Sequence, residues 1–193
     1  MSAKLLMLVG DYAEDYQVMV PFQAFWAIGY QVDAICPNKS TGDVIKTIIR
    51  NLASDQVYSE QSGHDFTLNA DFNHINTSEY QGLIIPGGRA PEYLRLNPKV
   101  INIVREFDAA KKPIAAMCHG VQVLAAARVI HNRYIASFHT CAHDIHLVGG
   151  KYIEVPNDNA MADGHIITAP SWLAQPAWMA QLLMALGTKI EIP

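Results

Sequence analysis

The chain has little that could hold it together other than a packed core. Its 193 residues include three cysteines, Cys36, Cys118 and Cys141, too few and too widely spaced for a disulfide scaffold. Positive charge is scarce as well. Fourteen Lys and Arg against 18 Asp and Glu leave a formal charge of −4, and no basic run exceeds the pair Lys111–Lys112. Neither the basic face of a nucleic-acid binder nor a polybasic membrane patch is present. Long apolar runs are missing too. The stretch Leu5–Val9 holds five apolar residues, short of a signal-peptide core and far short of the ~20 residues of a membrane span. These absences predict a cytoplasmic protein with reduced thiols.

What is present is a composition half hydrophobic and 17% charged, at a length that suits one core. No repeat, low-complexity tract or linker interrupts it, so residues 1–193 are expected to form a single domain. Short apolar runs alternate with amphipathic ones. KLLMLVG (4–10), YQVDAICP (30–37), YQGLIIPGG (80–88), PIAAM (113–117), YIASF (134–138) and HIITAP (165–170) read as strands, several of them covered on both faces. Residues 15–30, 97–112, 120–130 and 172–187 have helical spacing, the second opening on Asn97 as N-cap and Pro98 as first helical residue. Two hairpins are expected, one turning at Ser62–Gly63 and one at Asp163–Gly164. Alternating strands and helices predict an α/β fold, a mostly parallel sheet with helices on both faces.

In such sheets ligands bind beyond the carboxyl ends of the strands, where strand order reverses. Three strand-end loops carry chemistry: Gly10–Asp15 with its carboxylates, Pro86–Gly87–Gly88, and Cys118–His119–Gly120. Ala116-Met-Cys-His-Gly120 has the form small-x-nucleophile-x-Gly, a nucleophile elbow with cysteine in place of serine. The helix end behind the turn is expected to lower the thiol pKa. Amides near Cys118, Gly87 and Gly88 are candidates for an oxyanion site. His119 is the adjacent base, but side chains diverge on a sharp elbow, so a carboxylic acid from another loop is preferred. Asp11, Glu14 and Asp15 compete for that role, and Glu14 has the reach to cross the crevice. FHTCAHDIH sets His139, Cys141, His143 and His146 close together. A polar helix start is preferred there over a metal site.

GDYAEDYQVMVPFQA, GLIIPGGRAPEYLRLNPKV and KPIAAMCHGVQVLAAA together resemble the ThiJ/PfpI superfamily, which includes the Parkinson's-associated protein deglycase and PfpI-type intracellular proteases. With SGHDFTLNADF, the wording is most similar to the plant-type glyoxalase III branch. The resemblance implies a flavodoxin-like three-layer sandwich of the class I glutamine amidotransferase type. It implies glutathione-independent conversion of small dicarbonyls, methylglyoxal or glyoxal, to 2-hydroxy acids without a cofactor or metal, and deglycation as a related activity. Cys118 is then the nucleophile, Glu14 its acid/base and His119 an accessory residue, with Gly87, Gly88 and His119 binding substrate. In the peptidase alternative His119 is oriented by Glu92 of the partner subunit, so a homodimer or an assembly of dimers is implied. A non-catalytic redox sensor or chaperone centred on Cys118 is the third reading. Phe138 stands where relatives commonly carry an aromatic hydroxyl.

Overall fold

The computed structural model describes residues 3–51 and 58–189. The chain begins with β1 (Lys4–Leu8), β2 (Ala13–Glu14) and α1 (Asp15–Ala27). It continues through β3 (Gln31–Ile35), β4 (Val44–Asn51), β5 (Ser59–Thr67) and β6 (Gly82–Ile85). Next come α2 (Ala90–Leu94), α3 (Pro98–Ala109), β7 (Ile114–Met117), α4 (Val121–Ala127) and β8 (Tyr134–Ile135). The last elements are α5 (Ala142–Leu147), β9 (Lys151–Tyr152), β10 (Met161–Asp163), β11 (Ile166–Ala169) and α6 (Gln175–Ala185).

The central sheet has the order β10-β11-β7-β6-β1-β3. All its pairings are parallel except β10 with β11, which form the hairpin expected at Asp163–Gly164. The continuous apolar runs lie in the middle of this sheet because helices cover both faces and no side chain there can point to water. Leu5, Leu6, Met7 and Leu8 are each at most 1% exposed, and burying a leucine fully contributes about 1.5–3 kcal/mol. Asn97 caps α3, its Oδ1 accepting the Lys99 and Val100 amides at 2.9 and 3.3 Å. Pro21 lies within α1 and is buried there without ending the helix.

From β1 the order runs to β3 on one side and through β6, β7 and β11 on the other. The switch point is therefore between β1 and β6, and the loop after β7 borders it. A second sheet, β2-β4-β5, sits over this end of the molecule. It contains the one hairpin whose turn the sequence misplaces. Ser62 and Gly63 are inside β5, opposite β4, where the register slips between Lys46 and Ile48. A Ser-Gly pair serves a bulge as well as a turn, and here it is the bulge; residues 55–57 of that segment lie outside the described residues. The strand expected over 134–138 is confined to Tyr134–Ile135 and pairs with β9.

Candidate active site

The loops after β1 and β6 are tied to each other by backbone hydrogen bonds. The Glu14 amide donates to the Gly87 carbonyl at 3.2 Å, and the Arg89 amide to the Tyr12 carbonyl at 2.7 Å. Gly88 has φ +85° and no space for a side chain: a Cβ there would lie 2.3 Å from the Glu14 nitrogen. Gly87 abuts the elbow equally closely, its own Cβ position being 2.7 Å from Cys118 Cβ. The diglycine is thus what lets the acid loop and the thiol loop approach each other.

Cys118 has φ +56°, a left-handed backbone that costs a non-glycine residue roughly 1–2 kcal/mol. Strain of this kind persists only where the surroundings fix it, and the elbow expected from the sequence is its cause. The first turn after Met117 is a 3-10 turn, Cys118–Gly120, before α4 begins. The thiol is 4% exposed. Burial pushes its pKa up, against the pull of the Arg50 guanidinium, the His119 backbone N–H and the Gln17 side chain. This reverses the expected lowering: desolvation of the anion outweighs the positive groups around it.

Glu14 is fully buried and serves as the N-cap of α1, with Oε2 accepting the Gln17 amide at 2.9 Å. Oε1 is buried with no hydrogen-bond partner among the described residues. Glu14 and Cys118 share no hydrogen bond, and the thiol faces His119 instead. Burial raises the Glu14 pKa to about 7, while the amides of Gln17 and Arg50 pull it down and the Asp15 charge adds to the rise. Glu14 therefore exchanges a proton near neutrality. Asp15 turns away to accept from the Thr47 hydroxyl and the His64 amide, and Asp11 pairs with Lys39 at 3.0 Å. Those contacts separate the three acids that the sequence left in competition.

The residue that sequence reasoning missed is Arg50, from the end of β4. Its Nη1 donates to His119 Nδ1 at 2.9 Å and stands 4.0 Å from Cys118 Sγ. Arginine can only donate, so Nδ1 is an acceptor and the neutral ring carries its proton on Nε2. Cys118 Sγ, 3.2 Å from the same Nδ1, is then the donor of that contact. Burial and the Arg50 charge lower the His119 pKa to about 3, so His119 is neutral and holds the thiol proton without forming an imidazolium–thiolate pair. Tyr58 covers Arg50, with its ring centroid 3.8 Å from Cζ. Phe138 stacks on the His119 ring at 5.3 Å. The one signal for Arg50 was its spacing of two from Ile48 in VIKTIIRN, where both are buried after the alternation flips phase between Thr47 and Ile48.

The remaining predicted residues divide. The Gly87 amide donates to Gln17 Oε1 at 2.7 Å, so it is already engaged. Glu92 is exposed on α2, and the His119 nitrogen that a carboxylate would orient, Nε2, lies 3.5 Å from Thr140 Oγ1. Cys141 is buried, and among the described residues no three His, Cys, Asp or Glu groups gather as a metal site.

A parallel sheet whose switch-point crevice holds an elbow thiol and a buried carboxyl defines a cysteine-bearing, flavodoxin-like α/β protein. The chain belongs to the DJ-1/PfpI family, matching it over residues 3–185. It is 45% identical over 191 residues to protein DJ-1 homolog D of Arabidopsis thaliana, covering 98% of this chain and 49% of that protein. The chain spans about half the length of the Arabidopsis relatives it matches. Deglycase PfpI of Pyrococcus furiosus is 27% identical over 183 residues, 95% of this chain and 99% of that one. In fold, the chain is similar to Schizosaccharomyces pombe DJ-1, with TM-score 0.76, 19% identity, and coverage of 99% and 100%. No helix among the described residues is long and apolar enough to cross a membrane.

Proposed function

We propose that the chain is a glutathione-independent glyoxalase of the glyoxalase III type, acting on methylglyoxal and glyoxal, with deglycation of early glycation adducts as a related activity. The observation that carries this reading is that the diglycine brings together two loops, one with a strained, buried thiol and one with a buried carboxyl raised to about 7. Relatives named as deglycases support the second activity.

The sulfur adds to the aldehyde carbon as the thiol proton leaves, giving a hemithioacetal. Base-catalysed removal of the proton on that carbon yields an enediol, and return of a proton to the neighbouring carbon yields a thioester. Water then cleaves the thioester, freeing the 2-hydroxy acid and restoring the thiol. Atoms and electrons balance without an external oxidant, because one carbon is oxidised as its neighbour is reduced. Glu14 fits the shuttle because a carboxyl with pKa near the working pH both takes and returns protons. A neutral His119 fits the accessory role of holding the thiol proton in the resting state.

The test is lactate formation from methylglyoxal. Cys118→Ala and Glu14→Gln should each lower kcat/KM by at least about a hundredfold, the scale of lost nucleophilic or acid–base catalysis. The parent should show a rising limb with apparent pKa near 7 that Glu14→Gln removes. Lactate formation at the parental rate in both variants would rule the mechanism out.

A further inference from the structure

Gln17 stands where the three loops of the site meet. It lies in the first turn of α1 and is 2% exposed, and its backbone amide donates to Glu14 Oε2 at 2.9 Å. The far end of the side chain meets the Gly87 amide at 2.7 Å. A backbone N–H only donates, so the atom facing it is Oε1 and the carboxamide has one orientation. The same glycine meets the elbow. A Cβ on Gly87 would lie 2.8 Å from Gln17 Oε1 and 2.7 Å from Cys118 Cβ. The carboxamide and the thiol-bearing carbon thus flank one small residue on the same side, and any side chain at position 87 would part them.

With Oε1 committed, Nε2 is a buried donor in need of an acceptor. The sulfur supplies one. The resting thiol gives its proton to His119 Nδ1 at 3.2 Å and keeps its lone pairs free to accept, and the Gln17 side chain pulls the thiol pKa down as a hydrogen-bond donor does. Arg50 and the His119 backbone N–H favour the anion as well, while the charges of Glu14, Tyr58 and Cys141 would oppose it. We propose that Gln17 is the positioning residue of the elbow thiol: held by Gly87, its carboxamide donates to Cys118 Sγ and steadies the anion that attacks the aldehyde. A carboxamide neither takes nor releases a proton, so this donor persists across the range in which Glu14 titrates and leaves proton transfer to Glu14. The inference rests on the sulfur addition proposed above.

Alkylation of Cys118 by iodoacetamide, followed across pH by the mass of the Cys118 peptide, tests this. Gln17→Met keeps the size of the side chain and removes both polar atoms. Its alkylation midpoint should move to higher pH. Its rate below that midpoint should fall at least about threefold, what remains of a roughly tenfold loss of thiolate once the more basic sulfur's greater nucleophilicity is counted. The sign separates positioning from packing: a site that is only loosened would hydrate the thiol, lower its pKa and speed the reaction. Unchanged or faster alkylation would overturn the assignment. A second measurement needs no variant at position 17. The side-chain amide resonances of Gln17 should titrate with the alkylation midpoint in the parent and stay flat in Cys118→Ser. A flat trace in the parent would overturn the assignment equally, even if Gln17→Met fails to fold. Neither readout needs turnover. A protein that passes both without forming lactate would sink the reaction and leave Gln17 in its role, and the converse would sink only the role of Gln17.

Discussion

At the scale of single residues, the site depends on desolvation acting on three neighbouring groups at once. The same burial raises Glu14 to about 7, raises Cys118 and lowers His119 to about 3, so near neutrality the thiol and the imidazole rest uncharged while Glu14 is partly ionised. For Glu14 this has a stability consequence. Its folded pKa is above the ordinary 4.5, so the stability of the protonated form is whole below about pH 4.5 and is lost as pH rises through about 7. Relative to Glu14→Gln, the parent should lose on the order of 3 kcal/mol between pH 4.5 and 8.5, measured by urea unfolding at each pH. A gap that stays constant across that range would mean that Glu14 is ionised throughout. His119 provides an independent reading of Arg50. Removing the guanidinium charge in Arg50→Met should move the imidazole pKa upward from about 3, while burial, the larger cause, keeps it below 6.5. Ring-proton NMR titration follows this, and an unmoved value would show that the charge is not felt.

At the scale of elements, the site depends on how closely the strand-end loops approach. Gly120 faces the β6 loop, and a Cβ there would lie 2.4 Å from the Ile85 carbonyl oxygen and 3.0 Å from that of Pro86. Both neighbours are backbone, so no flexible side chain can give way. Gly120→Ala should cost roughly 1–3 kcal/mol and displace Cys118, and displacement by about 1 Å lowers turnover on the order of a hundredfold. Thermal unfolding and lactate formation measure the two effects; a drop in neither would mean that the elbow has slack. The elements that carry this loop cluster were legible in the sequence. Continuous apolar runs that stop at turn residues have few alternatives to buried strands, and Asn97–Pro98 fixes the start of α3 through its own hydrogen bonds. The β4–β5 ribbon was not legible to the same degree. Ser62–Gly63 satisfies the chemistry of a turn and of a bulge alike, and only pairing with β4 selects the bulge. Arg50 was hidden for a related reason: it meets Cys118 across 68 residues of sequence, and alternation tells which face of a strand a residue takes but not which loop that face meets.

At the scale of the whole molecule, the candidate site joins two parts of unequal stability. Cys118 and the diglycine are set by the central sheet, where β1, β6 and β7 are buried along nearly their whole length, and Glu14, in β2, stands where the second sheet joins it. Arg50 comes from the three-stranded sheet, whose outer strand β5 has most of its residues exposed. The ribbon is anchored by Asp15, which accepts from Thr47 Oγ1 and the His64 amide at 2.5 and 2.7 Å, and by the pairing of β2 with β4 at Ala13–Thr47 and Glu14–Ile48. Local opening costs least where buried apolar contacts are few, so the ribbon should open while the sheet stays closed. Opening would withdraw the guanidinium from Cys118, leaving a thiol whose pKa burial raises without the opposing charge. Native-state hydrogen exchange should therefore find the amides of Leu6, Ile84 and Ala115 protected up to global unfolding. The paired amides of Ile49 and Gln61 should exchange at least about a hundredfold faster, with little dependence on low urea. If the two sets exchange together, the ribbon and the sheet form one cooperative unit, and Arg50 is as fixed a part of the site as the elbow itself.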